Sequence, residues 1–170
     1  MTTAKIWALP EELVHVSVEI MQPHGLLGNE GLALWFGNDS CGVTHVTHVV
    51  SVEGAGFRST PLQLRLSLNA MEELTRLGAH LDAYLVGQIH SHPEDMLELS
   101  PVDQEFGIRY QDYISLVCPH YAQRPSTSLL DCGVHIFEKG RYRRMTINEV
   151  NRRVQIVDSP VQLVRLKVPA

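Results

Sequence analysis

Two apolar periods run through this chain and divide it into elements. Gly31 to Phe36 is a mostly apolar run between glycines, as in a central strand, and Val43 to Val52 alternates with β-branched residues. Asn38-Asp39-Ser40 between them has turn chemistry, so the two runs read as a hairpin. Tyr84 to Ile89 and Ile114 to Val117 are further strands. Leu129 to Phe137 and Tyr142 to Ile147 flank Glu138-Lys139-Gly140-Arg141, a second hairpin turn. Val161 to Val168 is a last strand, suited to covering a sheet edge. Helical spacing is clearest from about Ser67 to Leu77, where Leu68, Met71, Leu74 and Leu77 form a stripe and Gly78 is its stop. Ser100-Pro101-Val102-Asp103 opens another helix reaching about Tyr110, with Ser at the N-cap, Pro in the first position and an acid in the third. Pro10-Glu11-Glu12 reads as a helix opening, but the segment after it is ambiguous. Val14, Val16, Val18 and Ile20 alternate as a strand would, while Leu13, Ser17, Ile20, Met21 and His24 share a helical face. Glu53 to Thr60 and Cys118 to Ser128 read as loops.

Repeats, low-complexity segments and linkers are lacking, so residues 1–170 read as one α/β domain with enough chain for a real core. No apolar run approaches the ~18 residues of a membrane span, and Met1 to Glu12 has no basic region followed by an apolar stretch. Three cysteines, Cys41, Cys118 and Cys132, without paired spacing fit a reducing cytoplasm. The net charge of −5 argues against nucleic-acid binding. Eight of the fourteen Lys and Arg residues fall between Lys139 and Lys167, against Glu149 and Asp158. That tail reads as a solvated face, with a docking surface for an acidic partner as the sharper alternative.

The chemistry concentrates in residues 88–103. His90 and His92 are two apart at a strand end, so both point to one side. Asp103 follows in the first turn of the helix capped by Ser100. Two imidazoles and a carboxylate are a set that holds a catalytic Zn²⁺ and leaves its fourth position to water. Each piece has a plainer reading, since Ser-Pro-x-Asp is an ordinary helix cap and His-x-His occurs in structural strands. Their coincidence at fixed offsets favours the metal. A second site built from Cys118, His120, Cys132 and His135 is disfavoured, because residues three apart on a strand point to opposite faces. His45 and His48 share that problem.

The spacing His-x-His-x7-Ser-x2-Asp, with Ser91 between the histidines and Pro93 after them, resembles the JAB/JAMM (MPN+) metalloprotease family. The resemblance runs from about residue 10 to residue 140, and it implies a cytidine-deaminase-like mixed sheet flanked by helices. It also implies a helix after Pro10, and Zn²⁺ held by His90, His92 and Asp103. The general base would be Glu30, in Glu30-Gly31-Leu32-Ala33-Leu34-Trp35-Phe36-Gly37, where Ala33 stands in place of a common glycine. Glu19 is the rival base. Glu30 would take a proton from water and pass it to the leaving amine, and Ser100 would donate to the oxyanion. The implied substrate is the bond after the C-terminal tail of a ubiquitin-like protein, in deconjugation or precursor processing. E1- and E2-like proteins would be pathway partners, and bacterial defence a possible setting. A small carrier-protein or amino-acid adduct, or a metal-free scaffold role, are the alternatives. The short loops at residues 53–60 and 119–128 imply limited linkage selectivity.

Overall fold

The sheet grows outward from a central strand whose first six residues are buried. In the computed structural model, which describes residues 4–170, strand β2 (Leu32–Ser40) is buried from Leu32 to Gly37. Its neighbours, both antiparallel, are β3 (Val43–Gly54) and β6 (Tyr84–Ser91). Beyond β6 come β7 (Tyr113–Cys118), parallel to it, and then the antiparallel pair β8 (Gly133–Glu138) and β9 (Arg141–Arg144). On the other side, β3 is long enough to take two parallel partners in succession. β1 (Ile6–Pro10) pairs with its start and β11 (Gln162–Val168) with its end. β10 (Val154–Val157) then adds to β1. The result is a mixed α/β fold with a nine-stranded sheet among the described residues.

Side-chain alternation along β2 sends Ala33 and Trp35 to one face and Leu32, Leu34 and Phe36 to the other. Helix α1 (Leu13–Leu26) covers the first face and α2 (Leu68–Leu81) the second. The ambiguous segment is therefore helical. Leu13, Val14, Ser17, Val18 and Met21 are its buried face, and the valines that alternate in sequence are tolerated because tertiary packing outweighs weak propensity. Ser17 fixes the contact: its hydroxyl donates to Leu13 O at 2.7 Å and accepts from Trp35 Nε1 at 3.0 Å.

Several boundaries differ from the sequence reading. Pro10 ends β1 instead of opening the helix, and α1 starts at Leu13. Pro10 lies past the last β1–β3 pair, Ala8 with His45, so its missing N–H removes no bond from that ladder. The first hairpin turns at Cys41-Gly42, not at Asn38-Asp39-Ser40. Both turn residues have positive φ (51° and 80°), as a two-residue primed turn requires. Asp39 stays in the strand, accepting from Lys5 at 2.6 Å and Thr44 at 2.5 Å. The second half of the loop read over Glu53 to Thr60 is instead strand β4 (Phe57–Thr60), which forms a separate hairpin with β5 (Gln63–Leu66). Helix α2 runs through Gly78 and stops at Asp82 in the left-handed region. Helix α3 (Pro101–Phe106) ends at Gly107, short of Tyr110. The Lys139-Gly140 turn is as expected, with φ of 52° and 79°.

The strand read over Tyr142 to Ile147 is instead β9 followed by helix α4 (Ile147–Arg153), whose Thr146 and Glu149 form a capping box. Glu149 also receives Arg143 at 2.7 Å. The basic tail is partly neutralised within the chain, since Arg143, Arg144, Arg153 and Arg165 each pair with a glutamate. This favours the solvated-face reading. The Arg143 guanidinium, then the Thr146 N–H, hold the Glu149 carboxyl at about 2. Its folded pKa is depressed, so its contribution is full above the unfolded value near 4.5 and fades as pH falls towards 2. Glu149→Gln is expected to cost about 1 kcal/mol at pH 7, mostly the lost ion pair with Arg143, since a glutamine oxygen can still accept from the Thr146 N–H. Thermal unfolding of the two proteins should converge near pH 2; a gap that persists there would contradict this origin.

Candidate metal centre

The β2–β6 register builds the centre. Leu32 pairs with His90, and counting outward places Gly31 beside Ser91 and Glu30 beside His92. The intermediate pair is sealed on both sides: Ser91 N–H donates to Gly31 O at 3.0 Å, and Gly31 N–H donates to Ser91 Oγ at 2.8 Å. Glu30, His90 and His92 thus share one face of the sheet, and Glu30 Oε1 lies 3.7 Å from His92 Nε2. Gly31 is required here. A Cβ on it would fall 2.6 Å from Met21 Cβ and 2.7 Å from Met21 Cα, where α1 crosses the strand end.

Asp103 arrives from the opposite side on α3. Ser100 Oγ accepts from Asp103 N–H at 3.1 Å, while Asp103 Oδ2 accepts from Ser100 N–H at 2.8 Å. That reciprocal cap aims the carboxylate at the histidines. Asp103 Oδ2 lies 3.1 Å from His92 Nε2 and 3.4 Å from His90 Nε2, and the two Nε2 atoms are 3.1 Å apart. Ligand atoms bound tetrahedrally at 2.0–2.1 Å would stand about 3.3–3.4 Å apart. The three donors therefore form a triangle close to the size that one such ion needs, and among the described residues they are the group that converges in this way.

Burial shapes the electrostatics. His90 and His92 are 1% and 2% exposed and Glu30 3%. Burial pushes the Glu30 carboxyl up to about 7, with His92 pulling it down and Asp103 pushing it up. Burial also disfavours the Asp103 carboxylate, but hydrogen bonds from His90, His92 and the Ser100 backbone outweigh it and hold that group well below the ordinary carboxylate range. Glu30 Oε2 is buried without a partner. An unsatisfied buried carboxylate oxygen beside three convergent donors fits a site completed by a cation and its water. The residues fit a bound metal ion.

The structure brings together Glu30, His90, His92, Ser100 and Asp103. Ser100 Oγ accepts from the Asp103 N–H in the cap, and its hydroxyl proton is uncommitted among the described hydrogen bonds. Glu19 is excluded as the base: it is exposed on α1 and pairs with His15 at 3.2 Å. Glu94 and Asp95 are exposed, and Glu98 pairs with Arg144 and with His135, the latter at 3.5 Å. Cys118, His120, Cys132 and His135 do not converge as a second site. Sequence reasoning missed Ser91 as the residue that locks Glu30 beside His92; its small size between the histidines was the available signal. It also missed the β4–β5 hairpin, where Thr60 O accepts from Glu30 N–H at 3.0 Å.

No family model and no curated protein matches the chain. Its fold is similar to the solution structure of protein DSY2949 from Desulfitobacterium hafniense, with a TM-score of 0.61 at 15% identity, over 95% of this chain and 94% of that one. At that identity the likeness is one of fold: a large mixed sheet flanked by helices. Among the described residues, no helix is long and apolar enough to cross a membrane.

Proposed function

We propose that this chain is a zinc-dependent hydrolase of the JAB/JAMM (MPN+) type, cutting after the C-terminal tail of a ubiquitin-like protein. The observation that carries the reading is the convergence of His90, His92 and Asp103, with the unsatisfied Glu30 carboxylate facing them from the adjoining strand. Two imidazoles and one carboxylate are a donor set of catalytic zinc sites, and zinc, when bound, would act as a Lewis acid and make its water more acidic. Glu30, buried beside His92, accepts a proton from water and returns it to the leaving amine. Ser100 keeps a hydroxyl proton to donate to the developing oxyanion. The β2–β6 pairing and the α3 cap hold these groups in place without any covalent intermediate.

A protein substrate is favoured over a small adduct by exposed apolar surface on the elements that position the site. Leu26, Leu27, Leu62 and Phe106 are exposed large apolar residues, on the end of α1, the hairpin tip and α3. Intact donors favour an enzyme over a scaffold. The three free cysteines fit a reducing cytoplasm, and E1- and E2-like proteins would be the pathway partners. The test is a panel of ubiquitin-like fusions differing in linkage, incubated with the zinc-loaded chain. Cleavage after the tail is expected, abolished by a chelator and restored by Zn²⁺, with little preference among linkages. A zinc-loaded protein that leaves every fusion intact would contradict the substrate class.

A further inference from the structure

The candidate site has two supports. His90 and His92 belong to the end of β6, and Asp103 rides on α3. Glu30 lies just outside β2 and is held from its other side by the β4–β5 hairpin. There its N–H donates to Thr60 O, and its C=O accepts from Ser59 Oγ. Tyr121 touches both supports, which also meet where the Arg65 guanidinium of β5 lies over the Phe106 ring of α3. Tyr121 N–H donates to His92 O at 2.8 Å, and the Tyr121 hydroxyl donates to Pro61 O at the hairpin tip at 3.0 Å.

The turn that presents Tyr121 is itself imposed. His120, Tyr121 and Ala122 have φ of 57°, 51° and 57°, a left-handed run that non-glycine residues avoid. Such a conformation persists only where the surroundings over-determine it, and such positions cluster at functional sites. Here the surroundings are explicit. His120 N–H donates to Glu94 O at 2.6 Å, next to the metal loop. On the far side, α1 approaches so closely that a Cβ on Gly25 would sit 2.0 Å from Tyr121 O. The turn is thus wedged between the loop after His92 and the end of α1, with the Tyr121 side chain reaching across to the hairpin.

The geometry points to Tyr121 as a positioning residue, a strut tying the hairpin that holds Glu30 to the backbone of His92. Naming Glu30 as the base rests on the function proposed above; the mechanical coupling does not. Through this strut the spacing between base and metal ligands is set from outside the sheet as well as by the β2–β6 register.

Tyr121→Phe isolates the strut, because it keeps the ring and the left-handed backbone and removes only the hydroxyl. Amide hydrogen exchange on the zinc-loaded protein should show Glu30 and residues 57–66 exchanging about 10-fold faster, with β6 and the His92 amide unchanged. Zinc affinity should stay within about 2-fold, since no ligand is altered. On a cleavable ubiquitin-like fusion, kcat should fall about 10-fold at constant KM, the mark of a displaced base. Unchanged exchange at Glu30 and the hairpin overturns the proposal, as does equal acceleration throughout β6. If the unmodified chain binds zinc but leaves the fusion intact, the substrate reading fails alone and exchange still decides the strut.

Discussion

Glu30→Gln is expected to abolish hydrolysis while leaving one zinc bound. The amide keeps the size and neutral character that the buried pocket accepts, so His90, His92 and Asp103 should still converge. What disappears is the proton acceptor, and general-base contributions are typically worth about 10²–10⁴-fold in rate. The same substitution should have an opposite effect on stability. Burial raises the folded pKa of Glu30 to about 7, above its unfolded value near 4.5. Such a group contributes its full stability below the unfolded pKa and loses it as pH rises through the folded one. In metal-free protein at pH 8, the uncharged amide escapes that loss, so the variant should be the more stable, by up to about 3 kcal/mol. Below pH 4 the difference should vanish. Thermal unfolding of both metal-free proteins across this range checks the sign, and a destabilised variant at pH 8 would contradict it.

Gly31→Ala is expected to be far more damaging than one methyl group suggests. Its Cβ would meet Met21 backbone and side chain at 2.7 Å and 2.6 Å, so either α1 or the start of β2 must move. Overpacking of this kind costs about 1–3 kcal/mol, or roughly 2–12 °C in melting temperature for a chain of this size. Movement of β2 also breaks the Gly31–Ser91 bracket, which fixes Glu30 one ladder position further along, beside His92. Activity should therefore fall with stability, whereas Leu27→Ala, on the exposed end of α1, should change stability little. An alanine variant with unchanged melting temperature would show that Met21 gives way freely.

The convergence of His90, His92 and Asp103 was legible because its geometry is local. A two-residue strand spacing and a helix cap bring His90, His92 and Asp103 together with little help from the rest of the fold. Glu30 is different. The bracket that places it joins Gly31 to Ser91, 60 residues apart in sequence, through an antiparallel register that no local pattern displays. The resemblance supplied it, and the pairing explains it. The elements that went unread are short or disguised. Ile6-Trp7-Ala8-Leu9-Pro10 is an apolar strand whose final proline looks like a helix start. Helix α4 announces itself only in the Thr146–Glu149 cap, just after a strand-like run. Tyr121 gives no sign at all, since a left-handed non-glycine residue is set by what packs around it.

The most direct test of the metal centre is anomalous scattering at the zinc edge from crystals of the zinc-loaded chain. One peak is expected, about 2.0–2.2 Å from His90 Nε2, His92 Nε2 and an Asp103 carboxylate oxygen, with Glu30 beside the open coordination position. No peak there, or a zinc held elsewhere with these three side chains apart, would contradict the hydrolase at its root.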